Sequence, residues 1–148
     1  MTMMTIREIK ESDRNEYIAM ATQFYSMPCC VHNVDKSHFE KAFDYCLQNN
    51  PYAKIFILER NKQIIGYGNI SFTYSIEANG NVVWVEELFI KQEFQNKGYG
   101  KAYFDFIHTN FPAKRYRLEV TKSNINAMKL YERLGYEFLD YIQMIKER

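Results

Sequence analysis

Alternating and continuous runs of apolar residues divide this chain into short elements of two kinds. Residues 4–10 and 64–76 alternate between apolar and polar side chains, as half-buried strands do, and residues 82–90 predict an apolar strand that carries two carboxylates. Residues 54–59 are almost continuously apolar, which predicts a central strand. Elsewhere apolar residues recur every three or four positions, as they do on amphipathic helices. The pattern therefore predicts a mixed α/β fold.

Four helices are expected from these apolar stripes and from the residues at their boundaries. The first is capped by Ser12 or Asp13 and stopped by Pro28, and the second begins at Asp35 or Ser37. The third spans about 98–110, and the fourth spans 124–134. The expected apolar stripes, from the first helix to the fourth, are Tyr17, Ala21, Phe24 and Tyr25; Phe39, Ala42, Phe43, Cys46 and Leu47; Ala102, Tyr103, Phe106 and Ile107; and Ala127, Leu130, Tyr131 and Leu134.

Two turns and the remaining strands complete the expected order. Asn61 with Lys62 predicts a tight turn, and Asn79 with Gly80 is the strongest hairpin signal in the chain. Residues 116–120 alternate as a further strand, and residues 136–146 predict one or two final strands. The expected order is β-α-α-β-β-β-α-β-α-β within a single domain, residues 1–148.

Composition and charge narrow the class of protein. Apolar residues make up 47% of 148 residues, which is enough for one domain with its own core. A net charge of +1 gives no footprint for nucleic acid, and no apolar run approaches membrane-spanning length. The N-terminus lacks a signal-peptide pattern, so we expect a cytoplasmic protein without a membrane or nucleic-acid partner.

The three cysteines, Cys29, Cys30 and Cys46, have no zinc-site spacing relative to the histidines. We therefore expect reduced thiols and no bound metal.

The segment with the most chemical information is residues 86–101. A strand carrying two carboxylates is followed by a polar turn with Gly98 and Gly100, and then by a helix. Backbone N–H groups at a helix N-terminus lack intrahelical partners and favour anions, and glycine allows close approach. Neither a Walker A loop nor a dinucleotide fingerprint fits, because Ala102 follows Gly100-Lys101 and Tyr103 replaces the third glycine.

Two motifs in this chain resemble those of the GNAT N-acetyltransferase superfamily, which binds acetyl-CoA. Residues 95–100 read Gln-Asn-Lys-Gly-Tyr-Gly and are similar to its pyrophosphate-binding pattern Gln/Arg-x-x-Gly-x-Gly. Residues 124–136 resemble its Asn-x-x-Ala-x-x-Leu-Tyr-x-x-Leu-Gly-Phe/Tyr ending, one helix and one strand downstream. The resemblance implies the family's α/β fold, in which a mixed sheet splays between its two central strands to admit the cofactor.

The resemblance also implies an activity: transfer of an acetyl group from acetyl-CoA, a cosubstrate, to the primary amine of a small molecule in a ternary complex. The cofactor-binding residues carried over from the family are Leu88, Phe89, Ile90, Gln95, Asn96, Lys97, Gly98, Tyr99, Gly100, Lys101, Asn124 and Tyr131. Asn124 is equally well interpreted as the N-cap of the last helix.

Such a transfer needs a base, and Glu86 and Glu87 are the candidates. Strict alternation would place Glu86 with Trp84 and Leu88 on one face, and Glu87 with Val85 and Phe89 on the other. A strand bulge could reverse this facing. The resemblance points to Glu86 first and Glu87 next, acting directly or through a water, while an ion-paired or solvent-facing carboxylate is the alternative.

A proton donor for the departing thiolate is implied at Tyr131, which matches the tyrosine of the family's Leu-Tyr pair. Tyr131 also belongs to the buried stripe of the last helix, and both roles can hold because a buried hydroxyl needs a partner.

The acceptor side is less specified. Tyr25, His32 and Tyr74 are the candidate substrate-binding residues, in the segments with which the family binds its acceptor. Three alternatives stay open: a non-catalytic acyl-CoA-binding regulatory domain, acetylation of a peptide or protein amine, and an interaction module that binds no CoA. A homodimer through the final strands is also compatible with the sequence.

Overall fold

The computed structural model describes residues 3–148, which form a mixed five-stranded sheet with helices on both faces. The strands are β1 (Met4–Glu8), β2 (Ala53–Arg60), β3 (Gln63–Ser75), β4 (Gly80–Ile90) and β5 (Arg115–Leu118). The helices are α1 (Arg14–Tyr25), α2 (Lys36–Leu47), α3 (Tyr99–Asn110) and α4 (Ile125–Arg133), with short 3-10 turns at Glu11–Asp13 and Gln92–Phe94. The expected α/β class is confirmed.

The strands follow one another in the sheet in the order β1-β2-β3-β4-β5. The first four are antiparallel, and β5 runs parallel to β4 after the α3 crossover. The two predicted turns are present, with left-handed φ angles at Asn61, Lys62 and Asn79. Pairing of β4 with β5 covers only residues 82–85 and 115–118, so β4 continues for five residues without β5 beside it. The two strands therefore part on one side, as the splayed sheet requires.

The sheet separates two apolar clusters. On one face α1 and α2 pack against Ile55, Ile57, Tyr67 and Phe89. On the other face α3 and α4 pack against a set comprising Phe56, Leu58, Ile65, Ile70, Val83, Val85, Leu88 and Ile90. The near-continuous burial of β2 follows from its position between two strands with helices on both sides. The prediction of an interior strand is thus confirmed.

Helix boundaries follow local hydrogen bonding. The Asp35 carboxylate caps α2 by accepting from the Ser37 amide at 2.9 Å, and Asn124 caps α4 through the Ala127 amide. Asp13 precedes α1, but its carboxylate instead accepts from Arg7 and from the Lys10 amide. Among residues 3–148, no helix has the length and apolarity needed to cross a membrane.

The structure differs from the predicted apolar patterns at two positions, one on α3 and one after β5. Ala102 is exposed, and Phe104 takes the buried position on α3, because this helix also packs against α4. Val120 lies beyond β5, which ends at Leu118 where the chain diverges from β4.

The predicted final strands are wrong: residues 136–148, which we call the tail, contain no strand. Apolar residues come in adjacent pairs here, such as Tyr141 with Ile142, so a strand would expose an apolar residue whichever face it buried. A tight bend, in which the Tyr141 amide donates to the Leu139 carbonyl, also interrupts the tail. The Tyr141 hydroxyl donates to Glu77 at 2.7 Å and holds this bend near the β3–β4 hairpin.

Candidate active site

A bulge in β4 brings two carboxylates to the same face of the sheet. Asn69 pairs with Glu87 and Ile70 with Val85, so Glu86 is the extra residue. The predicted facing is therefore wrong, because the bulge reverses the alternation at this point. Val85 packs against the α3 side, whereas the side chains of Glu86 and Glu87 both lie on the α1 side.

Residues on β3 demonstrate the shared facing. Tyr67 and Ser71 are four positions apart and so point to one side of their strand. The Tyr67 hydroxyl donates to Glu87 Oε1 at 2.7 Å, and the Ser71 hydroxyl donates to Glu86 Oε1 at 2.7 Å. The two carboxylates therefore form one acidic pair.

Glu87 is the more constrained member of this pair. Its second oxygen accepts a hydrogen bond of 2.7 Å from the Tyr25 hydroxyl at the end of α1. Burial raises the pKa of Glu87 above its ordinary value, and the two tyrosine hydroxyls oppose that rise by stabilising the anion. Burial, followed by the charge of Glu87, raises the pKa values of Tyr25 and Tyr67, so both stay protonated as donors.

Glu86 has a different environment. It is exposed, and its hydrogen bond to Ser71 leaves the carboxylate open to solvent. Two adjacent carboxylates thus differ in solvation, which is the condition under which neighbouring acids take different roles.

The loop between β4 and α3 is held in place by Gln95, whose side-chain amide donates to the Ile90 carbonyl at 2.9 Å. Asn96 has φ 60° and Gly98 has φ 85°, and Gly98 directly precedes α3. A Cβ built at Gly98 would have nothing within 4 Å, so it would project into open space at the helix N-terminus. Since the first amides of a helix have no intrahelical acceptors, this open cradle fits an anionic group such as a pyrophosphate.

The side chains around this loop contribute less than its backbone. The Lys101 ammonium lies 2.6 Å from the Asp105 carboxylate and is largely exposed. Tyr99 packs partly against the α3-side cluster, and Lys97 is exposed. A Cβ built at Gly100 would meet only the Leu130 and Leu88 side chains, both at ordinary contact distance.

A cavity of about 910 Å³ opens where β4 and β5 part. Its lining comprises Phe24, Met27, Cys29, Val31 and His32 from the end of α1 and the following loop; residues 85–90 and Gln95; residues 118–122; Asn124, Ala127 and Tyr131; and Ile145 and Glu147 from the tail. Both predicted carboxylates, the predicted pantetheine strand and the predicted donor Tyr131 therefore meet in one space.

Two predicted residues of α4 have clear local roles. Asn124 caps the helix, which confirms one interpretation, and it also lines the cavity, where its contact with the cofactor stays a prediction. Tyr131 packs its ring against Phe104, and burial followed by the nearby Cys29 raises its pKa. The phenol therefore stays protonated at neutral pH, as a proton donor must.

The predicted acceptor residues divide. His32 lines the cavity, and Tyr25 reaches it through Glu87. Tyr74 is 67% exposed and pairs with Asn81 near the far hairpin, so the structure does not bring it to the site. Tyr67 is the main residue that the sequence interpretation missed. Its position between Gly66 and Gly68 was a weak signal, because these glycines let the Phe89 carbonyl and the Tyr103 ring approach β3 closely.

The chain is similar to known acetyltransferases by three comparisons. A family model described as the acetyltransferase (GNAT) family matches residues 16–136. The spermine/spermidine N(1)-acetyltransferase of Bacillus subtilis (strain 168) is 32% identical over 69 residues, 44% of this chain and 45% of that protein. The matched part is thus less than half of that relative's length.

Solved structures share the fold. A possible acetyltransferase from Clostridium difficile 630 superposes with a TM-score of 0.82 at 21% identity, covering 98% of this chain and 97% of that one. The aminoglycoside N-acetyltransferase AAC(6')-Iy in complex with CoA gives 0.78 at 19% identity, with 100% and 97% covered.

Proposed function

Because this chain belongs to the acetyltransferase (GNAT) family, we propose that it is an acetyl-CoA-dependent N-acetyltransferase whose acceptor is the primary amine of a small cationic molecule. The observation that carries the proposal is the cavity between β4 and β5. Its lining includes the acidic pair and extends to Gln95, in the loop whose last residue, Gly98, leaves the N-terminus of α3 open.

The residues fit the cosubstrate. The amides at the start of α3 would bind the pyrophosphate, and the β4 backbone from Leu88 to Ile90 lacks β5 beside it, so it would pair with an extended pantetheine arm. When bound, acetyl-CoA supplies the activated acetyl group. The chain itself has to deprotonate the amine and protonate the leaving thiolate.

We assign the base to Glu87. An amine attacks only as the neutral form, and a carboxylate with a raised pKa is a stronger base than an exposed one. Tyr25 and Tyr67 hold its two oxygens in place while each oxygen keeps a free lone pair. Glu86, at the exposed rim, would attract the ammonium group before transfer. This reverses the order of the two residues that the resemblance implied.

We assign protonation of the thiolate to Tyr131, which lines the same cavity as the acidic pair but from α4 rather than from β4. Direct transfer in a ternary complex is proposed because the candidate cosubstrate and acceptor residues line one space.

The acceptor is proposed to be a polyamine or an aminoglycoside. Four carboxylates line the cavity, from Glu86, Glu87, Glu119 and Glu147, against one lysine, Lys122. An acidic cleft of this kind concentrates multiply charged amines. The relatives named as spermine/spermidine and aminoglycoside acetyltransferases support the same class.

The remaining parts of the proposal concern context. The three cysteines carry free thiols, which supports a reducing cytoplasm. A single domain and a homodimer through the tail stay predictions, and analytical ultracentrifugation would measure the latter.

Calorimetric titration with acetyl-CoA, desulfo-CoA and ATP tests the cofactor assignment. We expect tight binding of acetyl-CoA and no binding of ATP, and then thiol release with spermidine or neamine as acceptor. Binding without turnover on any amine would favour the acyl-CoA-binding regulatory domain. No binding of acetyl-CoA would contradict both the transferase and the acyl-CoA-binding regulatory domain, and an interaction module would remain.

A further inference from the structure

Two neighbouring cysteines form a dithiol beside the cavity. Cys29 and Cys30 lie in the loop after α1, and their sulfur atoms are 3.9 Å apart. Both residues are half-buried, and the Cys30 thiol donates to the Phe24 carbonyl at 3.3 Å. This bond holds the Cys30 sulfur in place within reach of the Cys29 sulfur.

The spacing of this pair suits a bridging atom better than a disulfide. Adjacent Cα atoms are about 3.8 Å apart across a trans peptide, below the range of about 4.4–6.8 Å common for disulfides. A disulfide would also require the sulfurs to approach to about 2.05 Å. In contrast, two bonds of about 2.3 Å, the length of a zinc–thiolate bond, span the observed separation without moving either sulfur far.

The bridging species must need no more than two protein ligands. Among residues 3–148, no group of three or more His, Cys, Asp or Glu side chains could hold a metal ion. A structural zinc site takes four ligands, so the pair alone does not make one. A monosubstituted trivalent arsenical brings its own carbon as the third substituent and needs two sulfurs only.

We propose that Cys29 and Cys30 form a binding site for monosubstituted trivalent arsenicals. In the hydrated form of the reagent, two arsenic–oxygen bonds break and two arsenic–sulfur bonds form. Each thiol proton leaves with one hydroxide as water, and arsenic stays trivalent. The exchange therefore needs no oxidant or reductant.

The chemical state of the Cys30 thiol is compatible with this exchange. Burial, followed by the neighbouring Cys29, raises the pKa of Cys30 to about 12. A protonated thiol reacts slowly with alkylating reagents that require a thiolate. We expect chelation by the two sulfurs to succeed where attack by Cys30 alone is slow, and this contrast is itself measurable.

The location links the site to the proposed function. Cys29 lines the same cavity as Glu87 and His32, so a bound arsenical would occupy space on the acceptor side. Inhibition of acetyl transfer rests on the proposed function, whereas arsenical binding does not.

Native mass spectrometry with phenylarsine oxide tests the binding. We expect one phenylarsenic adduct per chain, reversed by 2,3-dimercaptopropanol and resistant to an equal concentration of 2-mercaptoethanol. Cys29→Ser and Cys30→Ser should each lose the stable adduct. Cys46→Ser is the matched control, because Cys46 is a half-buried thiol on α2 and should leave the adduct unchanged.

The outcomes separate the two proposals. A stable adduct that survives Cys29→Ser, or one that disappears with Cys46→Ser, would overturn the dithiol site. If a serine variant is misfolded by circular dichroism, Cys30→Ala replaces it and the same criterion applies. A dithiol adduct on a chain that acetylates no amine would keep this inference and reject the proposed transferase instead.

Discussion

The candidate anion cradle and the candidate acceptor site are formed by different chemical groups. At the start of α3, the candidate anion cradle consists of backbone amides around Gly98, and the nearby lysine is already paired with Asp105. On the α1 side, the candidate acceptor site consists of side chains, with Glu87 held by Tyr25 and Tyr67. The cradle depends on backbone conformation, and the acceptor site depends on the ionisation of a side chain. Substitutions in the cradle should therefore change the affinity for acetyl-CoA, and those in the acceptor site should change kcat or KM for the amine.

The largest effect is expected from Gly98→Val. A valine at φ 85° is strained, and its side chain would fill the space in front of the helix N-terminus. Acetyl-CoA affinity by calorimetry should fall by about 100-fold or more, equivalent to about 2.7 kcal/mol. Gly135→Val is the matched control, since Gly135 has φ 94° and equally open space but ends α4. Equal acetyl-CoA affinity in Gly98→Val and Gly135→Val would show that the turn at Gly98 does not bind the cofactor.

Glu87→Gln should lower kcat by about 100-fold or more, with acetyl-CoA affinity unchanged, because it removes the proposed base and leaves the candidate cradle intact. The same substitution should not lower the stability of the fold. With a raised pKa, the folded state holds more protons than the unfolded state, so this carboxyl makes the protein less stable as pH rises through that pKa.

The neutral amide removes that cost, so the melting temperature of Glu87→Gln at pH 7 should be equal to or above that of the parent. Turnover equal to the parent's would move the base to Glu86 or to a water.

Tyr67→Phe tests the assignment of Glu87 as the base through the pH dependence of kcat/KM. Removing this donor leaves the Glu87 anion less stabilised, so its pKa rises further. The acid limb of kcat/KM should move to higher pH, with a loss of about tenfold at pH 7 if the limb reaches neutrality. Tyr74→Phe is the control, because Tyr74 is exposed and distant from the pair. If the acid limb of kcat/KM is unshifted in Tyr67→Phe, the group that titrates in this limb is not the carboxyl that Tyr67 contacts.

Glu86→Gln should act on the acceptor rather than on the chemical step. An exposed carboxylate that attracts a cation contributes about 1 kcal/mol or less, so KM for the amine should rise about three- to fivefold. Steady-state kinetics at low and high salt would check this, since screening should shrink the difference. A fall in kcat with KM unchanged would indicate that Glu86 shares the proton transfer.

The smallest effect is expected from Lys101→Ala. Its ammonium is paired with Asp105 on the exposed face of α3, so acetyl-CoA affinity should change by less than about threefold. A larger loss by calorimetry would show that the cradle relies on side-chain charge as well as on backbone amides. Asp105→Asn, which frees the lysine, is the paired variant.

The sequence predicted the backbone end of the site better than the side-chain end. The glycine spacing around Gly98 reflects local conformation, which neighbouring residues alone determine. The caps at Asp35 and Asn124 were predictable for the same reason.

Long-range contacts account for what was missed. Glu87 meets Tyr25 and Tyr67 from positions 62 and 20 residues away, and its facing depends on one bulge. Alternation alone could not locate that bulge. The tail was mispredicted because its apolar pairs resemble a strand locally, while the bend at Tyr141 depends on Glu77.

The short pairing between β4 and β5 has a consequence for motion. Among the described residues after α3, strand pairing with the sheet is limited to the four residue pairs of β5, whereas β2, β3 and β4 are paired along most of their length. We expect amide hydrogen exchange to divide the chain unequally, with slow exchange in the antiparallel strands and faster opening of β5, α4 and the tail. Tyr131 and Glu147 belong to the faster unit, so the width of the cavity would fluctuate as this unit opens and recloses.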